Sequence, residues 1–321
     1  MRLPLLKFIV RRLLLGIATL FVVSVLIFLL TKAMRGDTAT IVLGRDATPE
    51  AVKELRSQFG LNRPLLTQYT SWIGGVLTGD LGNSFTTRAS VWGLLSSRVG
   101  SSLFLLLCAG VVSIPMSLAI GSFAALRRDG RFDSSTSFVL LAIAALPEFV
   151  VGTFLVIVLA TTVTKLLPAT FYLSPDQPPW GNMKGIILPV ITLSVSVLPY
   201  IARVTRAAVV EVLESDYVEM ARLKGMPERT VLWRHALPNA IGPIFQVIAL
   251  NLAYLAGGVL VVELLFNYPG IGTALNDAVR ARDLPVVQFL ALSIAAVYVI
   301  TNLLADIGTV LATPRLRTTL T

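Results

Sequence analysis

Long apolar runs, most of them closed by arginine or lysine, limit this chain more than any other feature. The first run, Leu13–Leu30, follows Lys7, Arg11 and Arg12 and carries no charge. At about 1.5 Å per residue it nearly matches the hydrocarbon thickness of a bilayer. Segments of this kind recur to the end of the chain, so the sequence predicts an all-α membrane protein that crosses the bilayer several times. The composition agrees, since 55% of the 321 residues are hydrophobic and 14% are charged, outside the range of ordinary soluble domains. The net charge of +9 does not indicate nucleic acid, because the basic residues sit at the ends of apolar runs and lipid headgroups are their simpler partner.

Taken in order, residues 1–31 form the N-terminal tail and first span, with the N-terminus inside and an uncleaved anchor expected. Residues 32–98 are polar and rich in turns, and form an extracytoplasmic segment. Their eight Lys and Arg residues do not oppose this placement, because the positive-inside bias fades for translocated segments longer than roughly 60 residues. Residues 99–321 form a five-span core. Ser101–Leu126 runs inward to Arg127, Arg128 and Arg131. Ser134–Lys165 fits either one long helix or two short ones divided at Pro147. Parity favours a single span kinked at that proline, because two would move the basic stretch after Arg203 and Arg206 to the outside. An outer loop, Leu166–Lys184, precedes a span at Gly185–Ala208. The last two spans are Ile241–Val262 and Val286–Val310, the latter ending inside at Arg315 and Arg317. The reading is therefore six transmembrane helices with both termini cytoplasmic.

Residues 211–240 make a charged interruption in this pattern. Asp216 followed by Glu219 reads as a helix start, Gly225 as its left-handed end, and Pro227 with Glu228 as the first turn of a second helix. Ala221 and Gly225, four apart, would let another backbone approach closely, with Glu219 and Arg222 presenting charge beside them. Local features fit two readings equally: a docking surface for a protein, or an amphipathic loop on lipid headgroups.

The run Glu219, Met220, Ala221, Arg222, then Gly225, then His235, Ala236, Leu237, Pro238, Asn239 resembles the EAA loop of the membrane subunits of binding-protein-dependent ABC importers, with Met220 in place of the usual Ala. A second stretch, GLNRPLLTQYTSWIGGVLTGDLGNSF, is similar to the segment after the first span in one permease type of the peptide and nickel importers. FNYPGIG and NLLADIGTVLATPRLR extend the likeness almost to the end, with Thr313 where that family commonly has Asp. The resemblance implies a type I importer permease fold and a coupling helix that fits a groove on a cytoplasmic ATPase through Glu219, Ala221, Arg222 and Gly225. His235, Pro238 and Asn239 would return the chain to the membrane. It further implies a second related permease subunit, two ATPase domains that bind ATP and Mg, and an extracytoplasmic solute-binding protein, in the plasma membrane of a bacterium or archaeon. The expected cargo is di- or oligopeptide, with nickel, glutathione or another small solute as alternatives.

The chain has no GxxxxGK[ST] phosphate loop, and Gly270 and Gly272 lack the rest of a nucleotide fingerprint. One histidine and one cysteine, Cys108, give no metal spacing and no disulfide within the chain. The expectation is a non-catalytic subunit with no cofactor of its own. An ion-coupled transporter would show internal repeats and membrane carboxylate relays, and neither is evident. Glu148, just after Pro147, is the candidate for lining the solute path and attracting a cationic group such as a peptide amino terminus. The competing reading is a helix–helix hydrogen bond or a protonated acid. Asn251 is a weaker candidate for which bonding between helices competes, and Asp306 reads as a packing or interface residue.

Overall fold

The computed structural model describes residues 2–34, 36–172 and 178–312. Thr313, Arg315, Arg317 and residues 173–177 of the outer loop Leu166–Lys184 lie outside them. The described residues form helices in the order α1 (Arg2–Ala33), α2 (Thr38–Leu43), α3 (Pro49–Gln58), α4 (Leu65–Thr78), α5 (Val91–Leu126), α6 (Arg131–Ala144), α7 (Glu148–Val156), α8 (Met183–Leu213), α9 (Asp216–Leu223), α10 (Glu228–Thr230), α11 (Leu237–Phe266), α12 (Ile271–Ala281) and α13 (Leu284–Ala312). Five helical stretches are long and apolar enough to cross a membrane, and α6 with α7 makes a sixth if that bent pair counts as one span.

The kink expected at Pro147 is a corner. α6 and α7 meet at 101°. Pro147 has no N–H to continue a helix and disfavours helical backbone at Leu146, so the chain leaves the helix there and restarts with Pro147 as the cap of α7. Glu148 then occupies the first turn of α7, where the positive end of the helix dipole favours a carboxylate.

By compactness the chain forms two units. One comprises residues 1–14, 104–268 and 300–321. Its core is built by Leu105 and Ala109 of α5, Leu188, Leu193, Val197 and Ile201 of α8, and Leu255, Val259 and Phe266 of α11. The apolar window of α8 is 72% buried, whereas that of α1 is 11% buried, so α8 is a central helix and α1 turns its apolar side chains outward. Small residues set the approach of the helices in this unit. A Cβ at Gly121 of α5 would collide with the carbonyl oxygen of Ala202 and lie 2.8 Å from the Thr205 Cβ, both on α8. Ser194 Oγ donates to the Ala109 carbonyl at 3.2 Å across the same helix pair. Asp306 of α13 forms a partly exposed ion pair with Arg12 of α1 at 3.1 Å.

The other unit comprises residues 15–103 and 269–299. Residues 32–98 are thus one part of a larger compact body that also holds α12. Thr48 caps α3 by accepting from the Ala51 amide at 3.2 Å, and Pro49 fills the first turn. Asp283, almost fully buried, fastens residues 84–86 by accepting from the Phe85 amide at 2.9 Å, the Thr86 hydroxyl at 2.7 Å and the Ser84 hydroxyl. Phe85 in turn stacks on Phe59, ring centres 3.9 Å apart.

Candidate functional site

Residues 211–240 fold as a helix, a tight turn and a second helical segment. Ser215, rather than Asp216, stands at the cap of α9, and its hydroxyl donates back to the Val212 carbonyl instead of receiving an amide. The stretch is anchored from beneath. Val218 is fully buried, and Leu213, Val231, Leu232, Ala236 and Ala240 form its cluster, together with Val209 of α8 and Ala125 of α5.

This anchoring changes the part played by Ala221. It lies three residues after Val218 on the inner face of α9 and is 6% exposed, so its small side chain accommodates this chain's own packing and offers no surface to a partner. Nor does Gly225 continue that face. It has left the helix at φ +76°, and a Cβ there would meet nothing within 4 Å. The left-handed backbone is by itself reason for a glycine at this position. Replacing Gly225 by Ala is accordingly expected to cost about 1 kcal/mol, and by Asn less. A melting curve of the purified chain checks this, since equal midpoints for Gly, Asn and Ala would refute it.

Arg222 is exposed, and its guanidinium forms a two-pronged pair with Glu228, at 2.8 and 3.2 Å, and donates to the Leu213 carbonyl at 3.3 Å. It ties the two sides of the turn to the end of α8. Glu219 remains exposed on the open side of α9. The open surface includes an apolar stripe of Tyr217, Met220 and Leu223 at three-residue spacing, 47%, 54% and 75% exposed, of which the sequence had singled out only Met220. Trp233, 71% exposed, is a further large apolar side chain presented by the same stretch. Both Val218 with Ala221 and Tyr217 with Met220 carry the same helical spacing, and only the tertiary packing decides which pair is turned inward.

The second half of the stretch is continuous with the membrane helix. Val231–Ala236 is a π-helical segment between α10 and α11. Its wider turn relieves the clash that the Pro238 ring would otherwise make with the carbonyl four residues back. Asn239 donates its side-chain amide to the His235 carbonyl at 2.7 Å, and His235 keeps Nε2 buried without a partner among the described residues. Helical structure therefore begins at Glu228 and runs 39 residues to Phe266, well before the expected start at Ile241. A displacement of the turn has a stiff path into α11.

A second ion pair, also unforeseen, braces the same end of this unit. Arg206 of α8 grips Asp133 of α6 through Nε and Nη2, both at 2.5 Å, and Asp133 also accepts from the Asp129 amide at 3.1 Å. Arg128 pairs with Glu214 and with Asp129.

At the corner of the bent pair, Glu148 accepts a hydrogen bond from the Tyr254 hydroxyl of α11 at 3.0 Å. The carboxylate lies against Gly258, where a Cβ would come within 3.2 Å of it. Glu148 and Tyr254 both stay partly open. Asn251 is nearly buried and donates to the Val247 carbonyl of its own helix at 2.8 Å, where a bond between helices was expected. The reading also overlooked Glu263, fully buried on α11.

The described residues thus form a helical membrane protein of several candidate spans, with a braced charged turn between α8 and α11. The chain belongs to the family described as binding-protein-dependent transport system inner membrane component, which matches residues 117–318, and the family's N-terminal component matches residues 5–106. It is 38% identical over 312 residues to the "Probable peptide ABC transporter permease protein y4tP" of Sinorhizobium fredii, covering 97% of this chain and 99% of that one. Identity to the "Glutathione transport system permease protein GsiC" of Shigella flexneri is 34% over 312 residues, again covering 97% and 99%. The "Di/tripeptide transport system permease protein DppB" of Pseudomonas aeruginosa is 36% identical over 332 residues, at the same coverage of both chains.

Proposed function

We propose that this chain is the permease subunit of an ATP-driven importer for di- and oligopeptides, with 211–240 on the cytoplasmic face of the plasma membrane. A second permease would complete the pathway, two ATPase domains would bind ATP and Mg, and an extracytoplasmic solute-binding protein would deliver the cargo. The chain itself would catalyse no reaction. The observation that carries this reading is the stripe Tyr217, Met220 and Leu223: apolar, exposed, and held on a turn whose inner face is locked to α8 and α11. The names of the relatives, peptide and glutathione permeases among them, support the cargo class.

The mechanism follows from the connectivity. ATP binding would close the partner ATPases and displace α9. Arg222 with Glu228 and the apolar cluster beneath would carry that displacement into α8 and the 39-residue helical segment, changing which side the pathway opens to. The test is uptake into proteoliposomes holding the complete complex. Uptake that requires internal ATP and survives collapse of ion gradients supports the reading, and uptake driven by an ion gradient without ATP defeats it.

The partly open carboxylate of Glu148, held by Tyr254, would line the solute path and favour cargo with a free amino terminus. Glu148→Gln is expected to lower uptake of a dipeptide with a free amine about tenfold relative to its N-acetylated counterpart, from loss of one charge-assisted contact. Equal change for both cargos would remove Glu148 from the path.

A further inference from the structure

The end of α1 remote from its basic N-terminal turn borders a polar cavity of about 320 Å³. Among the described residues, three cations line it, Lys32, Arg56 and Arg282, against one carboxylate, Asp37. Asp37 is already engaged: Oδ1 lies 3.7 Å from Arg56 Nε, and Oδ2 accepts from the Thr40 hydroxyl at 3.1 Å. Lys32 donates to Gln68 and sits 5.6 Å above the centre of the Phe28 ring, which leaves ammonium hydrogens unused. Arg282 keeps Nη1 buried with no hydrogen-bond partner among the described residues. Its backbone ends α12 at φ +55°, a conformation that glycine or asparagine adopts more easily, so the backbone does not select an arginine there. The lining therefore has two positive charges in excess and a buried guanidinium hydrogen aimed at no acceptor.

Depth narrows what the cavity can hold. The apolar stretch Lys7–Ala33 has 27 residues, and at about 1.5 Å per residue it reaches roughly through the hydrocarbon and into the headgroup layer. Lys32 and its cavity lie at that level, where phosphates are dense. A phosphate suits the donors, because guanidinium groups offer forked hydrogens to its oxygens and an ammonium adds a point charge. We propose that Lys32, Arg56 and Arg282 form a phosphate-binding site at the membrane surface. A lipid phosphodiester and free phosphate share this chemistry. The proposal depends on the membrane span of α1 and not on the nature of the cargo.

The full-length chain in nanodiscs decides it by native mass spectrometry and melting curves, comparing phosphatidylcholine alone with phosphatidylcholine plus phosphatidylglycerol. Arg282→Gly removes the guanidinium and suits the left-handed backbone, Arg282→Lys keeps the charge, and Arg56→Gln tests the neighbouring wall. Retention of phospholipid by the wild type in either disc, lowered about tenfold in Arg282→Gly and partly kept in Arg282→Lys, identifies a lipid phosphate. Stabilisation by millimolar inorganic phosphate in phosphatidylcholine discs, lost in Arg282→Gly, identifies a soluble source. If Arg282→Gly does not fold, the same comparisons are made with Arg56→Gln. Equal lipid retention and equal melting in wild type and variant, in every disc and with phosphate, overturns the site.

Discussion

Aspartate at both Met220 and Leu223 is expected to abolish ATP-driven uptake while the chain remains folded and inserted. The two side chains are 54% and 75% exposed, so neither supports the fold, unlike Val218 and Ala221 on the opposite side of the same helix. Burying them against a partner would contribute about 3 to 4 kcal/mol of apolar transfer, or roughly two to three orders of magnitude in affinity. Two carboxylates in their place would also have to be stripped of water without partners, which costs several kcal/mol more. The measurement is uptake by the reconstituted complex, alongside membrane abundance and the melting midpoint of the variant. Normal uptake would show that the stripe meets no partner. Lost uptake with a lowered midpoint would show that it supports the fold.

The second large effect is expected at the brace between α6 and α8. Asp133 is 5% exposed at its side chain and Arg206 30%, so Asp133→Ala leaves a half-buried guanidinium without its counter-charge. The cost should be about 3 kcal/mol, the range for breaking a buried pair from one side. Replacing both partners by apolar residues of similar size, Asp133→Leu with Arg206→Met, should recover most of it, because no charge is then left unpaired. Melting midpoints of the two single variants and the double variant form the cycle that checks this. Additive losses would mean that the two side chains act independently. Since the brace joins the entry of α6 to the helix that leads into α9, the single variants should also lower uptake more than their stability loss explains.

The spans were legible because the demand of the bilayer is written in run length and in the placement of charge. Pro147 marked the break between α6 and α7, yet the angle of that break depends on what the two halves pack against. Gly225 was legible for the same reason as any left-handed turn, since few residues tolerate positive φ. The inner and outer faces of α9 were not, because YVEMARL carries two apolar stripes at equal spacing and only the cluster beneath chooses between them. The partner of Arg222, Glu228, was not legible either, because it lies across a turn whose closure sequence spacing does not give. The pairing of Asp133 with Arg206 spans 73 positions, and nothing local announces it. Glu148 was identified as a carboxylate needing an explanation, and its partner Tyr254, 106 positions away, came only with the fold.

The central claim, that α9 is gripped by a separate nucleotide-hydrolysing partner, is tested most directly by crosslinking. In a Cys108→Ser background, a cysteine placed at Leu223 in the assembled complex should crosslink to the ATPase subunit, with a yield that changes when ATP is bound. Failure to reach any nucleotide-hydrolysing protein, or labelling of that cysteine by an impermeant reagent from the outer face, would contradict the account.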